Sequence, residues 1–229
     1  MLVGRGLLAT AFGEFSDNDH VVIFASGVSN SREEDPNEFL REERLIRKTI
    51  AENRDKLFVY FSSCALANEA SQEVPYYRHK RSMETLIKRE SDAYLILRLP
   101  QVFGDIKEAT TLINYLYNNI VQDREFCVWS KAYRYIIHTD DVLTLVKALL
   151  HSKRKNETVD LANPYRYHIL ELIGCIENKI GRHARYSILE REDQYELDLN
   201  VMKKVMEENG LSLDFGNDYF CKKLKTYEA

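Results

Sequence analysis

Tyr76 and Lys80 stand four residues apart in Val74-Pro75-Tyr76-Tyr77-Arg78-His79-Lys80, where the proline suits the first turn of a helix. On a helix that spacing puts both side chains on one face. A phenol of pKa about 10 is a poor acid or base at neutral pH unless a cation stabilises its phenolate, and Lys80 is placed to be that cation. A tyrosine tuned in this way suits a sugar or alcohol hydroxyl that gains or loses a proton while hydride moves at the same carbon. The spacing alone is a weak signal. Tyr219 and Lys223 repeat it near the C-terminus with no chemical context, an exposed helix face is the plain reading there, and Tyr219→Phe is expected to be silent.

The elements that would position such a pair run in order along the chain. Met1-Leu2-Val3 leads into Gly4-Arg5-Gly6-Leu7-Leu8-Ala9, a short strand, a glycine turn and a helix start spaced Gly-x-Gly-x-x-Ala. In a dinucleotide-binding turn the first glycine makes the bend, the second admits a pyrophosphate, and the small third residue packs helix against strand. The helix N-terminus would face the phosphates. The usual sequel, a second strand ending in an acid that holds the adenosine ribose, is missing. Phe15-Ser16-Asp17-Asn18-Asp19 is a polar link instead, with Asp17 and Asp19 read as turn residues. It opens directly into His20-Val21-Val22-Ile23-Phe24-Ala25-Ser26-Gly27, an apolar run of the buried parallel-strand kind.

Asp35-Pro36-Asn37-Glu38 then starts a helix whose apolar stripe is Phe39, Leu45, Ile46 and Ile50 and whose charges read as a solvated face. Leu57-Phe58-Val59-Tyr60-Phe61 is a second buried strand ending in Ser62-Ser63-Cys64, and Ala93-Tyr94-Leu95-Ile96-Leu97-Arg98-Leu99 a third, closed by Pro100 to Gly104. Strand and helix alternate, which predicts a parallel sheet wound with right-handed crossovers. Beyond it come a helix over 109–120, a short strand over 125–129, a helix through Leu143, Val146, Leu149 and Leu150, a strand over 157–163, and helices over 169–180 and 199–209. The tail after Lys222 is expected to fray.

Taken in order, the glycine turn, the strands ending Phe24-Ala25-Ser26 and Ser62-Ser63, Tyr76 with Lys80, Leu97 to Gly104 and Arg134-Tyr135-Ile136-Ile137-His138-Thr139-Asp140-Asp141 resemble the extended short-chain dehydrogenase/reductase family. The resemblance is to its nucleotide-sugar epimerase, dehydratase and reductase branch and covers nearly the whole chain. It implies an α/β fold: a Rossmann-like doubly wound parallel sheet, here without its usual second and third strands, and a small C-terminal substrate lobe. The cofactor-binding domain would be 1–104 plus about 138–163, and the substrate lobe 105–137 plus 164–229.

The resemblance also implies roles. Gly4, Arg5, Gly6 and Leu7 would meet the cofactor pyrophosphate side, with Arg5 open to a 2'-phosphate. Phe24 and Ala25 would line the cofactor cleft, and Pro100, Gln101 and Val102 would border the nicotinamide ring. Tyr76 would be the acid/base, Ser63 would orient the sugar oxygen, and Lys80 would hold Tyr76 and the nicotinamide ribose. Cys64 competes with Ser63 for the hydroxyl position, where the thiol is the weaker donor. Asn114 and Arg134 would serve the nucleotide-sugar, with a surface ion pair the alternative for Arg134. His138 would order the strand-to-helix corner and Asp141 would cap the helix. The loop between Ser63 and Tyr76 is short for this branch, and the adenine side of the cleft would be open.

A chain of 229 residues with net charge −4 has room for one sizeable core and carries no basic stripe, so a small molecule is a better partner than nucleic acid. Cys64, Cys127, Cys175 and Cys221 are scattered, which suggests reduced thiols, no disulfide framework and no metal site. No apolar run reaches a membrane span. The expectation is a cytoplasmic protein using NAD or NADP, pairing as a homodimer as in the family, and acting as a nucleotide-sugar 4-keto reductase or epimerase that supplies a surface polysaccharide. The alternative is a non-catalytic nucleotide or nucleotide-sugar binding homologue that regulates or scaffolds a partner enzyme.

Overall fold

Strand and helix alternate as the apolar runs require. The computed structural model describes residues 1–68, 73–104, 111–193 and 195–225. In chain order the first elements are β1 (Leu2–Val3), α1 (Leu7–Ala11), β2 (Val21–Phe24), α2 (Pro36–Glu52), β3 (Leu57–Ser63), α3 (Pro75–Glu90), β4 (Tyr94–Leu99) and β5 (Gln101–Phe103). Then follow α4 (Leu112–Val121), β6 (Phe126–Arg134), β7 (Ile136–His138), α5 (Thr139–His151), β8 (Glu157–Asp160), β9 (Tyr167–His168), α6 (Ile169–Ile180), β10 (Tyr186–Asp193), α7 (Asn200–Glu208) and α8 (Tyr219–Lys225).

The main sheet is parallel throughout, in the order β1-β2-β3-β4-β8. Because successive side chains point to opposite faces, Val21, Ile23, Val59, Phe61, Leu95 and Leu97 face α1, α5 and α7. Val22, Phe24, Phe58, Tyr60 and Ile96 face α2 and α3 instead. Burial on both faces is why these strands read as continuous apolar runs. A third cluster, built on α4, α6 and α8, packs around β6, β7 and β9.

The sheet ends at β1, a two-residue edge strand, as the missing segment predicts. The connections hold a correction. From β1 to β4 each step moves the same way across the sheet, yet α1 lies on the face opposite α2 and α3. The β1–α1–β2 connection therefore has the opposite hand to the next two, and the crossovers are not uniformly right-handed. The turn-to-strand link manages this with a five-residue helix and a 3-10 turn, Gly13–Phe15, that buries Phe12 and Phe15 under the sheet.

Other departures follow from packing that spacing does not reveal. Cys175 and Cys221 form a disulfide, Cα–Cα 5.2 Å, because α8 lies beside α6; the expected set of four reduced thiols is corrected to two, Cys64 and Cys127. Tyr219 is fully buried rather than on an exposed face, and α8 runs to Lys225. The helix expected over 109–120 is capped by Thr111 and begins at Leu112; its residues 109 and 110 lie outside the described residues, as do 69–72 of the loop before Tyr76 and the last four of the tail. The strand expected over 125–129 runs on to Arg134. Among the described residues no helix is long and apolar enough to cross a membrane.

Candidate active site

Parallel strands present their carboxyl ends to one edge of the sheet, where open α/β folds bind ligands. There the glycine turn, the loop after β2 and β5 enclose a cleft of about 400 Å³ lined by Arg5, Gly6, Leu7, Ala25, Ser26, Gly27, Ser29, Arg41 and Val102. Gly4 has φ of 137°, and a Cβ there would lie 2.3 Å from the Ala25 carbonyl oxygen, so only glycine brings the turn this close to β2. A Cβ on Gly6 would meet nothing within 4 Å, which leaves its backbone open to the cleft. Arg5 is exposed, while Arg41 pairs with Glu38 (2.8 Å) and donates to the Ser26 carbonyl oxygen (3.2 Å). Gln101 and Val102 are held by pairing of β5 with β7, next to Pro100. Phe24 instead packs with Phe58 and Tyr60 in the core beneath α2 and α3.

These residues fit the pyrophosphate and nicotinamide half of a dinucleotide: an open glycine backbone, small wall residues and two guanidinium groups. Among the described residues no strand lies beyond β1, so the sheet offers the adenosine half no wall, and a helix as short as α1 adds little dipole to the phosphate site.

Beside the cleft, Tyr76 and Lys80 share the inner face of α3, both buried. The Lys80 ammonium does not reach for the Tyr76 hydroxyl. It donates to Glu42 Oε1 (3.1 Å) and to the Tyr60 hydroxyl (3.0 Å), and sits 5.8 Å from the centre of the Tyr76 ring. Glu42 projects from α2 with no solvent exposure and also accepts from the Tyr60 hydroxyl (2.6 Å), the Val28 N–H (2.7 Å) and the ring of His79 (2.9 Å). This carboxylate ties the cleft loop to α2, β3 and α3. Gly27 belongs to the same packing, because a Cβ there would lie 2.8 Å from Lys80 Nζ. The Tyr76 hydroxyl hydrogen-bonds no described residue; its ring meets Tyr77 edge-on at 5.0 Å.

The electrostatics follow the pairing. Burial by itself would raise the Glu42 pKa, but Lys80, His79, Tyr60 and the Val28 N–H outweigh it and bring it down to about 2. Tyr76 moves the other way: burial first, then Tyr77 and the Glu42 charge, push its phenol well above the ordinary value. Burial and Glu42 also raise Tyr60.

Ser63, at the carboxyl end of β3, is half-buried and accepts from the Ala65 N–H (3.3 Å), which leaves its own O–H proton for a ligand. Cys64 is fully buried with its thiol on the Arg98 carbonyl oxygen, and burial raises its pKa. Ser62 and Arg98 converge on buried Glu84, Arg98 through two 2.8 Å bonds, a second clamp between α3 and the sheet. Asn114 is buried on α4. Arg134 pairs with Asp193 (2.7 Å) and donates to the Asp193 and Tyr133 carbonyl oxygens, and both charges act on nearby Tyr77. His138 caps α5 through Asp140 N–H, whereas Asp141, expected to cap, accepts from Tyr219 and Lys223.

Glu42, Tyr60, Gly27 and Arg41 escape a reading by motif. Glu42 has one sequence signal: it follows Phe39 by three and precedes Ile46 by four, which places a carboxylate inside the apolar stripe of α2.

No family model and no curated protein matches the chain by sequence. Solved structures do match. The UDP-glucuronic acid 4-epimerase of Bacillus cereus, in complex with UDP-glucuronic acid and NAD, aligns over 97% of this chain and 81% of its own with 17% identity and a TM-score of 0.72. The UDP-glucose 4-epimerase of Bifidobacterium longum, in complex with NAD+ and UDP, aligns over 96% and 80% with 18% identity and a TM-score of 0.71. RMD of Pseudomonas aeruginosa, complexed with NADPH, aligns over 97% and 86% with 16% identity and a TM-score of 0.70. At these identities the likeness is one of fold: the chain has the Rossmann-like α/β fold of these proteins, with β1 at one edge of its five-stranded sheet.

Proposed function

We propose that the chain is an NAD- or NADP-dependent enzyme acting on the sugar of a nucleotide-sugar, as a 4-keto reductase or an epimerase. The observation that carries this reading is Tyr76: its ring centre is 5.8 Å from buried Lys80 Nζ, which itself lies against the cleft residue Gly27 at the carboxyl edge of the sheet, and no described residue hydrogen-bonds the Tyr76 hydroxyl. The Tyr76 hydroxyl is not among the sealed, unpartnered side-chain atoms, so it keeps some exposure, and an accessible hydroxyl near a ligand-binding edge is a candidate for contact with substrate.

In this reading a nicotinamide cofactor supplies or takes up hydride. Gly4, Arg5, Gly6, Leu7 and Ala25 bind its phosphate side, and Pro100, Gln101 and Val102 border its ring. Tyr76 moves a proton at the sugar oxygen, Ser63 orients that oxygen with its free O–H, and Lys80 holds the Tyr76 side of the corner and the nicotinamide ribose. Arg134, with Asp193, and Asn114 lie on the nucleotide-sugar side. The lobes would be 1–104 with about 138–163, and 105–137 with 164–229. Supply of a surface polysaccharide, a cytoplasmic site of action and homodimer formation through α2 and α3 complete the proposal.

A second reading, a non-catalytic nucleotide-sugar binding protein, draws on two observations: Glu42 takes up the Lys80 charge, and the adenosine side has no wall. The test is a calorimetric titration of the purified protein with NAD, NADH, NADP and NADPH, with and without a UDP-sugar, followed by NMR of the sugar. The enzyme reading expects weak dinucleotide binding alone, tighter binding with the sugar present, and a new sugar stereocentre. Sugar binding without cofactor binding or conversion supports the second reading instead.

A further inference from the structure

Building on the enzyme reading above, we propose that Glu42 is a positioning residue that sets the resting protonation state of the corner: by taking up the Lys80 ammonium it keeps Tyr76 a phenol, the form that donates a proton to a sugar ketone being reduced.

The geometry contains more than one way to hold a lysine near a tyrosine. Had the Lys80 ammonium faced the Tyr76 oxygen unopposed, it would have favoured the phenolate, the form that removes a proton from a sugar hydroxyl undergoing oxidation. Here two Lys80 N–H groups are directed to Glu42 Oε1 and the Tyr60 hydroxyl, and the lysine is almost fully buried with its counter-charge in contact. Every charged or titratable group around the corner bears on the outcome. From α2 comes Glu42, from β3 Tyr60, and from α3 Tyr77, His79 and Lys80; beyond Tyr77 stands the Arg134–Asp193 pair. Among the described residues the cation close to the Tyr76 ring, Lys80, is matched by Glu42, and the Arg134 charge is matched by Asp193. A desolvated phenol with no net cation beside it stays protonated at neutral pH, and burial shifts it further in that direction.

The step balances as a reduction. The ketone carbon accepts a hydride from a reduced nicotinamide dinucleotide as the carbonyl π bond opens, and its oxygen takes the proton from the Tyr76 hydroxyl. The products are the sugar alcohol and the oxidised dinucleotide, and Tyr76 recovers its proton from water. Oxidation of a sugar hydroxyl, the opening step of epimerisation, would need the phenolate first.

The experiment is an NMR titration of protein labelled with 13C at the tyrosine Cζ, without cofactor or sugar, with the Tyr76 signal identified by its loss in Tyr76→Phe. In the native chain the signal should stay that of a phenol past pH of about 10, the ordinary tyrosine value. In Glu42→Gln, which keeps an acceptor for Lys80 but removes the charge, the midpoint should move to lower pH, at a proton concentration about tenfold or more higher. The alkaline limb of kcat for ketone reduction should move by the same amount. Ionisation of Tyr76 near neutral pH in the native chain overturns the proposal, and that arm requires no variant to fold. An unchanged midpoint in folded Glu42→Gln also overturns it. Because the titration uses no ligand, it fails or succeeds independently of whether a nucleotide-sugar is the substrate.

Discussion

Two Tyr-x-x-x-Lys pairs occur in this chain, at 76/80 and 219/223, and both lie beside a buried carboxylate. In α8, Tyr219 donates to Asp141 and accepts from the His138 N–H (2.7 Å), while Lys223 bonds the same carboxylate at 3.0 Å. Tyrosine and lysine both bond the one acid, with Lys223 Nζ 5.8 Å from the Tyr219 ring centre, and this three-residue cluster fastens α8 to the start of α5. In α3 the matching cluster is the triangle of Tyr60, Lys80 and Glu42, and its tyrosine comes from the sheet, not from the helix. Tyr76, the partner that the spacing assigns to Lys80, is left with its hydroxyl unengaged by any described residue. Equal spacing thus yields a fastening in one place and an unengaged hydroxyl in the other. What decides is where the carboxylate stands and which tyrosine it recruits.

The largest effect is expected from breaking the Tyr60–Lys80–Glu42 triangle with Glu42→Ala. It leaves Lys80 buried without its counter-charge and removes the acceptor of Tyr60, His79 and the Val28 N–H, so a loss of about 3–5 kcal/mol is expected in urea unfolding. A loss below 1 kcal/mol would mean that Lys80 is not held as described.

Acid acts on the same carboxylate more gently. The folded Glu42 pKa of about 2 lies below the ordinary value of 4.5, so its contribution is complete above pH 4.5 and is lost as pH falls through 2. That contribution is on the order of 3 kcal/mol at neutral pH. Stability measured from pH 6 to 2 should fall mainly below 4.5, and Glu42→Gln should flatten that slope.

A smaller effect sharpens the comparison at the other end. Tyr219→Phe leaves Asp141 and the His138 N–H each short of a buried bond, for an expected cost of about 1–3 kcal/mol. This replaces the expectation of a silent substitution. The effect is best measured with the Cys175–Cys221 bond reduced, when Tyr219 and Lys223 hold α8 to α5 without it. An unchanged melting temperature would show that the cluster is dispensable.

Much of the α/β architecture is legible in the sequence because each strand is buried on both faces and carries an unbroken apolar run, as in Val21 to Phe24 and Leu57 to Phe61. Pro36 behind Asp35 marks a helix start just as clearly, and the side chain of Asp35 accepts the Asn37 N–H at 2.9 Å. What stays hidden is long-range pairing. Nothing local to Tyr219 shows that Asp141 waits beneath it, nothing near Cys175 shows that α8 brings Cys221 alongside, and Arg134 meets Asp193 across 59 residues. The hand of the first connection is hidden for the same reason: it depends on which face α1 covers, and apolar residues such as Phe12 and Phe15 suit either face. Within the candidate site, the cleft glycines and Tyr76 can be found by motif. Glu42 cannot, because a carboxylate on a charged helix reads as solvated until the stripe that contains it is aligned with Phe39 and Ile46.

The most direct test of the contrast is a pair of substitutions compared by turnover and melting temperature. Tyr76→Phe should lower conversion of a nucleotide-sugar by about 100-fold or more while leaving the melting temperature unchanged, as expected when a proton-transfer oxygen is removed and little else. Tyr219→Phe should lower the melting temperature and leave turnover per folded molecule as it was. Full turnover in Tyr76→Phe would contradict the account, because the open hydroxyl that separates the two corners would then have no chemical role.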